Sequence, residues 1–78
     1  MEKEQILSEV QEIFRNILDQ ENLVLSVQTT AADVEDWDSL SHIQLVVAIE
    51  KHFKIRFTSK EIQSWKNVDE MISSIQSK

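Results

Sequence analysis

The run Trp37-Asp38-Ser39-Leu40-Ser41-His42-Ile43-Gln44-Leu45-Val46-Val47-Ala48-Ile49-Glu50-Lys51-His52-Phe53 carries two apolar stripes on a single helical repeat. At about 100° per residue, Leu45, Ile49 and Phe53 fall in line with Val46 at their edge, and Leu40, Ile43 and Val47 fall on roughly the opposite side. The spacing predicts a helix over 39–53. Asp38 is placed to cap it, because a carboxylate just before the first turn accepts backbone N–H groups that lack an intrahelical partner. A surface helix needs one buried stripe. The second is therefore either another core contact or a face kept for docking, and periodicity alone leaves both open.

Working outward, Lys54, Ile55, Arg56, Phe57 and Thr58 break the helical period. Thr58 and Glu61 have the spacing of a capping box, which starts a short helix carrying Ile62. Asn67 and Glu70 give a similar start to a last helix that buries Val68, Met71, Ile72 and Ile75. Upstream, Ile6, Val10, Ile13 and Ile17 recur at helical spacing over 3–18, with Leu7, Phe14 and Leu18 widening the stripe. Glu2, Glu4, Glu9 and Glu12 lie off it, and the earliest acids suit the positive end of the helix dipole. Between the first two helices, 19–37 reads as a long loop pinned by apolar side chains. Leu23, Leu25 and Val27 alternate as in a strand, but a lone strand has no partner. Thr30 with Asp33 suits a short helical turn. The expected fold is all-α: a small four-helix bundle of three main helices and one short one, in a single domain spanning 1–78.

Composition narrows the function. The chain has 78 residues and contains no Gly, Pro or Cys. Without glycine there is no phosphate-binding loop, dinucleotide fingerprint or nucleophile elbow, and left-handed turns are expected at Asn or Asp. Without cysteine there are no disulfides, thiolate metal sites or protein-borne thiol, which fits a cytoplasmic location. No apolar run reaches membrane-spanning length and no hydrophobic leader follows Met1, so neither a membrane span nor processing is expected. The net charge of −6 is unevenly laid out: residues 1–38 hold ten acids and two bases, residues 39–78 four acids and six bases. An acidic first half argues against nucleic acid, and suits either plain solubility or a partner with a basic docking surface. Glu35, Asp36 and Asp38 cluster before the second helix, but the glycine and spacing of a calcium loop are missing, and no metal site is expected.

The motif Asp38-Ser39-Leu40, at a helix start after a long acidic loop, resembles the attachment motif of acyl carrier and peptidyl carrier proteins. The order of helix, long loop, Asp-Ser-Leu helix, short helix and final helix extends the resemblance over nearly the whole chain. The longer run from Trp37 to Val46 looks like stand-alone carriers of specialised pathways more than the fatty-acid synthesis carrier. The resemblance implies that Ser39 bears a covalent 4′-phosphopantetheine arm from coenzyme A, that Asp38 helps the modifying transferase engage, and that Leu40, Ile43 and Val47 dock partner enzymes. Val46 and Ile49 would line an interior into which an acyl chain inserts. The implied partners are a phosphopantetheinyl transferase, an acyl- or aminoacyl-loading enzyme and a downstream transferase or synthase. A monomer is expected. In this role the chain is a tether and not an enzyme. Physical chemistry agrees at Ser39, since a phosphodiester is an anion and a helix N-terminus stabilises anions.

Other readings stand beside this one. Ser39 as an ordinary helix-start serine would leave an unmodified interaction module that docks through the same Leu40, Ile43 and Val47 patch. Asp38, Ser39 and His42 superficially suggest a hydrolytic triad, but neighbouring residues point apart and nothing supplies an oxyanion hole. His42 is expected to pack toward the preceding loop and bond a backbone group, and His52 to sit on the surface. Trp65 is expected to pack at the core edge. For Trp37, packing and a place beside the arm both remain open. Two departures from the family pattern stand out: the second helix has Glu50 as its one acid, followed by Lys51, Lys54 and Arg56, and Trp37 replaces the usual glycine before Asp-Ser-Leu.

Overall fold

In the computed structural model, which describes residues 2–78, the chain forms α1 (Lys3–Leu18), α2 (Ser39–Phe53), α3 (Ser59–Ser64) and α4 (Val68–Gln76), with a 3₁₀ turn at Ala31–Asp33. No strand occurs among the described residues, and no helix there is long and apolar enough to cross a membrane. Each helix after α1 begins where a side chain takes up an orphan N–H. The caps are Asp38 for α2, Thr58 for α3 and Asn67 for α4. The Thr58–Glu61 pair closes a reciprocal box, as its spacing predicts.

The core joins Ile6, Val10 and Phe14 of α1 to Leu45 and Ile49 of α2 and to Val68, Met71, Ile72 and Ile75 of α4, with Leu25 and Val34 added from the loop. Burying side chains of this size contributes about 1.5–3 kcal/mol each. Ile17 departs from the expected α1 stripe and is 37% exposed. The buried arc of α1 runs through Ile6, Val10, Ile13, Phe14 and Leu18, and a residue one step beyond that arc reaches the rim.

The loop over 19–37 is held by its backbone as much as by its apolar side chains. The Leu25 N–H donates to Gln11 Oε1 at 2.9 Å and Arg15 Nε donates to the Leu23 carbonyl at 2.7 Å, tying the loop to α1. At its far end the Val68 and Asp69 N–H groups donate to the Thr29 and Val27 carbonyls, each at 2.9 Å. The loop thereby satisfies donors that the first turn of α4 cannot satisfy itself. The alternation of Leu23, Leu25 and Val27 is thus that of an extended segment laid against two helices.

Left-handed turns occur at Asp19, Asp36 and Lys54. The expectation of Asn or Asp is corrected at Lys54, which closes α2 with φ 58° and donates its N–H to the Glu50 carbonyl. With no glycine in the chain, a lysine meets the steric cost of that cap. Trp37 in the family's glycine position takes no positive φ, because the left-handed residue is Asp36.

Candidate functional site: the start of the second helix

Asp36, Asp38 and Ser41 build the entrance to α2. Asp38 Oδ1 accepts the Ser41 N–H at 3.0 Å, and Ser41 Oγ accepts the Asp38 N–H at 2.8 Å. The Ser41 hydroxyl donates to the Asp36 carbonyl at 2.7 Å, which locks the left-handed turn to the helix. Ser41 is 9% exposed, the one buried polar residue of the described chain. The Ser41 N–H holds the Asp38 carboxyl below its ordinary value of 3.8, against a smaller desolvation effect. Ser41 was not singled out in the sequence, although the Asp-x-x-Ser spacing is a capping-box signature with serine in the place of the usual Glu or Gln.

Ser39, two residues earlier, is exposed, and its hydroxyl makes no hydrogen bond among the described residues. It lines a half-open cleft of about 440 Å³ together with Trp37, Asp38, His42, Ile62, Trp65 and Met71, with Ala31, Gln63, Lys66 and Asn67 also bordering it. Aromatic rings form much of its wall. Trp37 meets Phe14 edge-on at 4.9 Å and stacks with His42 at 6.0 Å, His42 meets Trp65 edge-on at 5.9 Å, and Trp65 meets Phe57 edge-on at 4.9 Å. Trp65 Nε1 donates to Ser74 Oγ at 2.8 Å. Trp65 therefore packs as expected and also walls the cleft. Trp37, for which two roles stood open, does the same.

His42 packs toward the preceding loop as expected, but its hydrogen-bond partner there is a side chain. It bonds no backbone group; its Nδ1 accepts the Trp37 indole N–H at 3.1 Å. An acceptor at Nδ1 cannot also be oriented by an acid there, and the Asp38 carboxylate is engaged by Ser41, so Asp38, Ser39 and His42 do not form a triad. His52 is on the surface as expected, 2.7 Å from Glu9 Oε1.

Leu40, Ile43 and Val47 are 69%, 61% and 43% exposed along one face of α2, while Leu45, Val46 and Ile49 are buried. The two stripes thus divide cleanly between solvent and core. Val46 and Ile49 do not border the cleft beside Ser39; that space lies against Met71 and the two indoles. Both side chains instead face the interior of the bundle, as expected of them.

Residues 8–75 match the family model described as phosphopantetheine attachment site. Among solved structures, the solution NMR structure of a holo acyl carrier protein from Geobacter metallireducens superposes with a TM-score of 0.87, at 40% identity over 94% of this chain and 84% of that one. The chain belongs to the acyl carrier protein family. It is a carrier and not an enzyme, and the group of its family is a covalently attached 4′-phosphopantetheine. No curated protein matches this carrier. The start of α2 fits such a group on its own geometry: a free, exposed hydroxyl stands at a capped helix N-terminus and opens onto a cleft with both aromatic and polar walls.

Proposed function

We propose that this carrier bears its phosphopantetheine on Ser39 and delivers acyl or aminoacyl groups in a specialised biosynthetic pathway. One observation carries the residue assignment. Of the two serines in the first turn of α2, Ser41 is buried with its hydroxyl committed to the Asp36 carbonyl, whereas Ser39 is exposed with its hydroxyl free. A transferase can reach the second kind of hydroxyl without unfolding the helix start. When attached, the arm supplies the thiol this chain lacks and holds its cargo as a thioester. Asp38 keeps the helix start in register and offers a carboxylate beside Ser39 to the transferase. Leu40, Ile43 and Val47 form the docking face for the transferase, the loading enzyme and the downstream synthase. Lys51, Lys54 and Arg56, all exposed near the end of that face, support partners distinct from enzymes that read an acidic second helix.

The test is intact-protein mass before and after incubation with coenzyme A, Mg²⁺ and a broad-specificity phosphopantetheinyl transferase, with Ser39→Ala and Ser41→Ala alongside. The expected result is a gain of one phosphopantetheine in the wild type and in Ser41→Ala, and none in Ser39→Ala. A gain that persists in Ser39→Ala would move the site. No gain with several transferases would return the chain to an unmodified docking module.

A further inference from the structure

The Trp37–His42 hydrogen bond has a chemical consequence for the cleft. An indole N–H is a donor only. Because it donates to His42 Nδ1 at 3.1 Å, a neutral His42 must carry its proton on Nε2. That Nε2 makes no hydrogen bond among the described residues, although the ring is half-buried between the two tryptophans. His42 thus brings one free N–H donor to the cleft that Ser39 also lines. The two residues stand three apart on α2, a spacing that places side chains about 5–6 Å apart at Cβ on one helix surface.

We propose that His42 is a positioning residue for the arm, its Nε2–H donating to the phosphodiester on Ser39 and holding the first segment of the arm against Trp37 and Trp65. The inference rests on attachment at Ser39. A phosphodiester is an acceptor-only anion, and a hydrogen bond with one charged member is about twice as strong as a neutral one. The fixed tautomer means that the donor needs no rearrangement when the anion arrives. The indole faces and Met71 offer apolar surface to the arm beyond the phosphate. Asp38 and Lys66 are the other charged groups bordering the cleft. A phosphodiester keeps one fixed charge between pH 5 and 8, so a pH response of its phosphorus in that window comes from its surroundings, and the His42→Gln variant assigns it.

The experiment is ³¹P NMR of the holo carrier across pH 5 to 8, read with the Trp37 and Trp65 indole N–H resonances in apo and holo forms. Wild type, His42→Gln, His52→Gln and Trp37→Phe are compared, each checked for arm attachment by mass. The expected result is a ³¹P inflection in wild type and His52→Gln that is lost in His42→Gln. Both indole resonances should shift on modification of the wild type. Trp37→Phe, which keeps the imidazole but frees its tautomer, should keep the inflection with reduced amplitude. A wild-type holo carrier with no inflection, or an inflection that survives in His42→Gln, overturns the proposal while leaving attachment intact. A mass gain that does not depend on Ser39 overturns both.

Discussion

Asp38 and Ser41 exchange hydrogen bonds across one helical turn, the Ser41 N–H reaching Asp38 Oδ1 at 3.0 Å and the Asp38 N–H reaching Ser41 Oγ at 2.8 Å. The same Ser41 hydroxyl holds the Asp36 carbonyl. Two backbone groups at the entrance to α2, the Asp38 N–H and the Asp36 carbonyl, thus depend on one buried hydroxyl.

Ser41→Ala should therefore destabilise the fold where Ser39→Ala does not. Removing the box leaves the Asp38 N–H and the Asp36 carbonyl without their partner, at a cost of about 1–3 kcal/mol. Ser39→Ala removes a solvated hydroxyl and should stay within about 0.5 kcal/mol of wild type. Urea unfolding of the two variants checks this through the midpoint at unchanged slope. Equal midpoints would mean that the box contributes nothing to stability.

The two stripes of α2 make a second contrast between residues of like chemistry. Leu45→Ala deletes a fully buried side chain and should cost about 2–5 kcal/mol. A domain of this size has a total stability of about 3–5 kcal/mol, so the variant should be largely unfolded by circular dichroism. Leu40→Ala, Ile43→Ala and Val47→Ala should melt close to wild type, yet weaken modification by the transferase, read as a raised KM for the carrier. Loss of fold in the exposed set would assign that stripe to the core.

Lys54 closes α2 in a left-handed conformation that costs a side-chain-bearing residue about 1–2 kcal/mol. Glycine takes that conformation freely but loses more chain entropy on folding. Lys54→Gly should stabilise the fold by a net of about 0.5–1 kcal/mol, raising Tm by roughly 2–8 °C at the scale of a small domain. A lowered Tm would show that the lysine side chain contributes more than the backbone strain costs.

Asp38 and Glu61 both have carboxyl groups held below their ordinary values, Asp38 chiefly by the Ser41 N–H and Glu61 chiefly by the Lys78 ammonium. A folded-state value below the unfolded one stabilises the fold at pH above the unfolded value and is lost as pH falls through the folded one. Stability should therefore hold from neutrality down to the ordinary carboxylate range, about pH 4, and decline below it. Asp38→Asn keeps a capping oxygen but removes the titration, so its unfolding midpoint should fall less steeply over that acid range. Parallel declines in the two proteins would place the acid sensitivity elsewhere.

Much of the architecture was legible in the chain because its determinants are local. The starts of α2, α3 and α4 follow from Asp38, Thr58 and Asn67, side chains that bond backbone groups within one turn. The limits of α1 follow from its apolar spacing, and the Asp-Ser-Leu motif was readable as written. Other features depend on residues far apart in sequence. The two stripes of α2 have the same composition, and only the packing of α1 and α4 decides that Leu45 and Ile49 are buried while Leu40, Ile43 and Val47 face solvent. The Val27 and Thr29 carbonyls meet the first turn of α4 across about forty residues, a pairing no periodicity announces. The ring series from Phe14 through Trp37, His42 and Trp65 to Phe57 draws on α1, the loop, α2 and the segments flanking α3. Caps and stripes are set by neighbours a few residues away, so sequence alone determined them. The cleft beside Ser39 and the proton position on His42 are set by which distant side chains meet, and only the tertiary structure decided those.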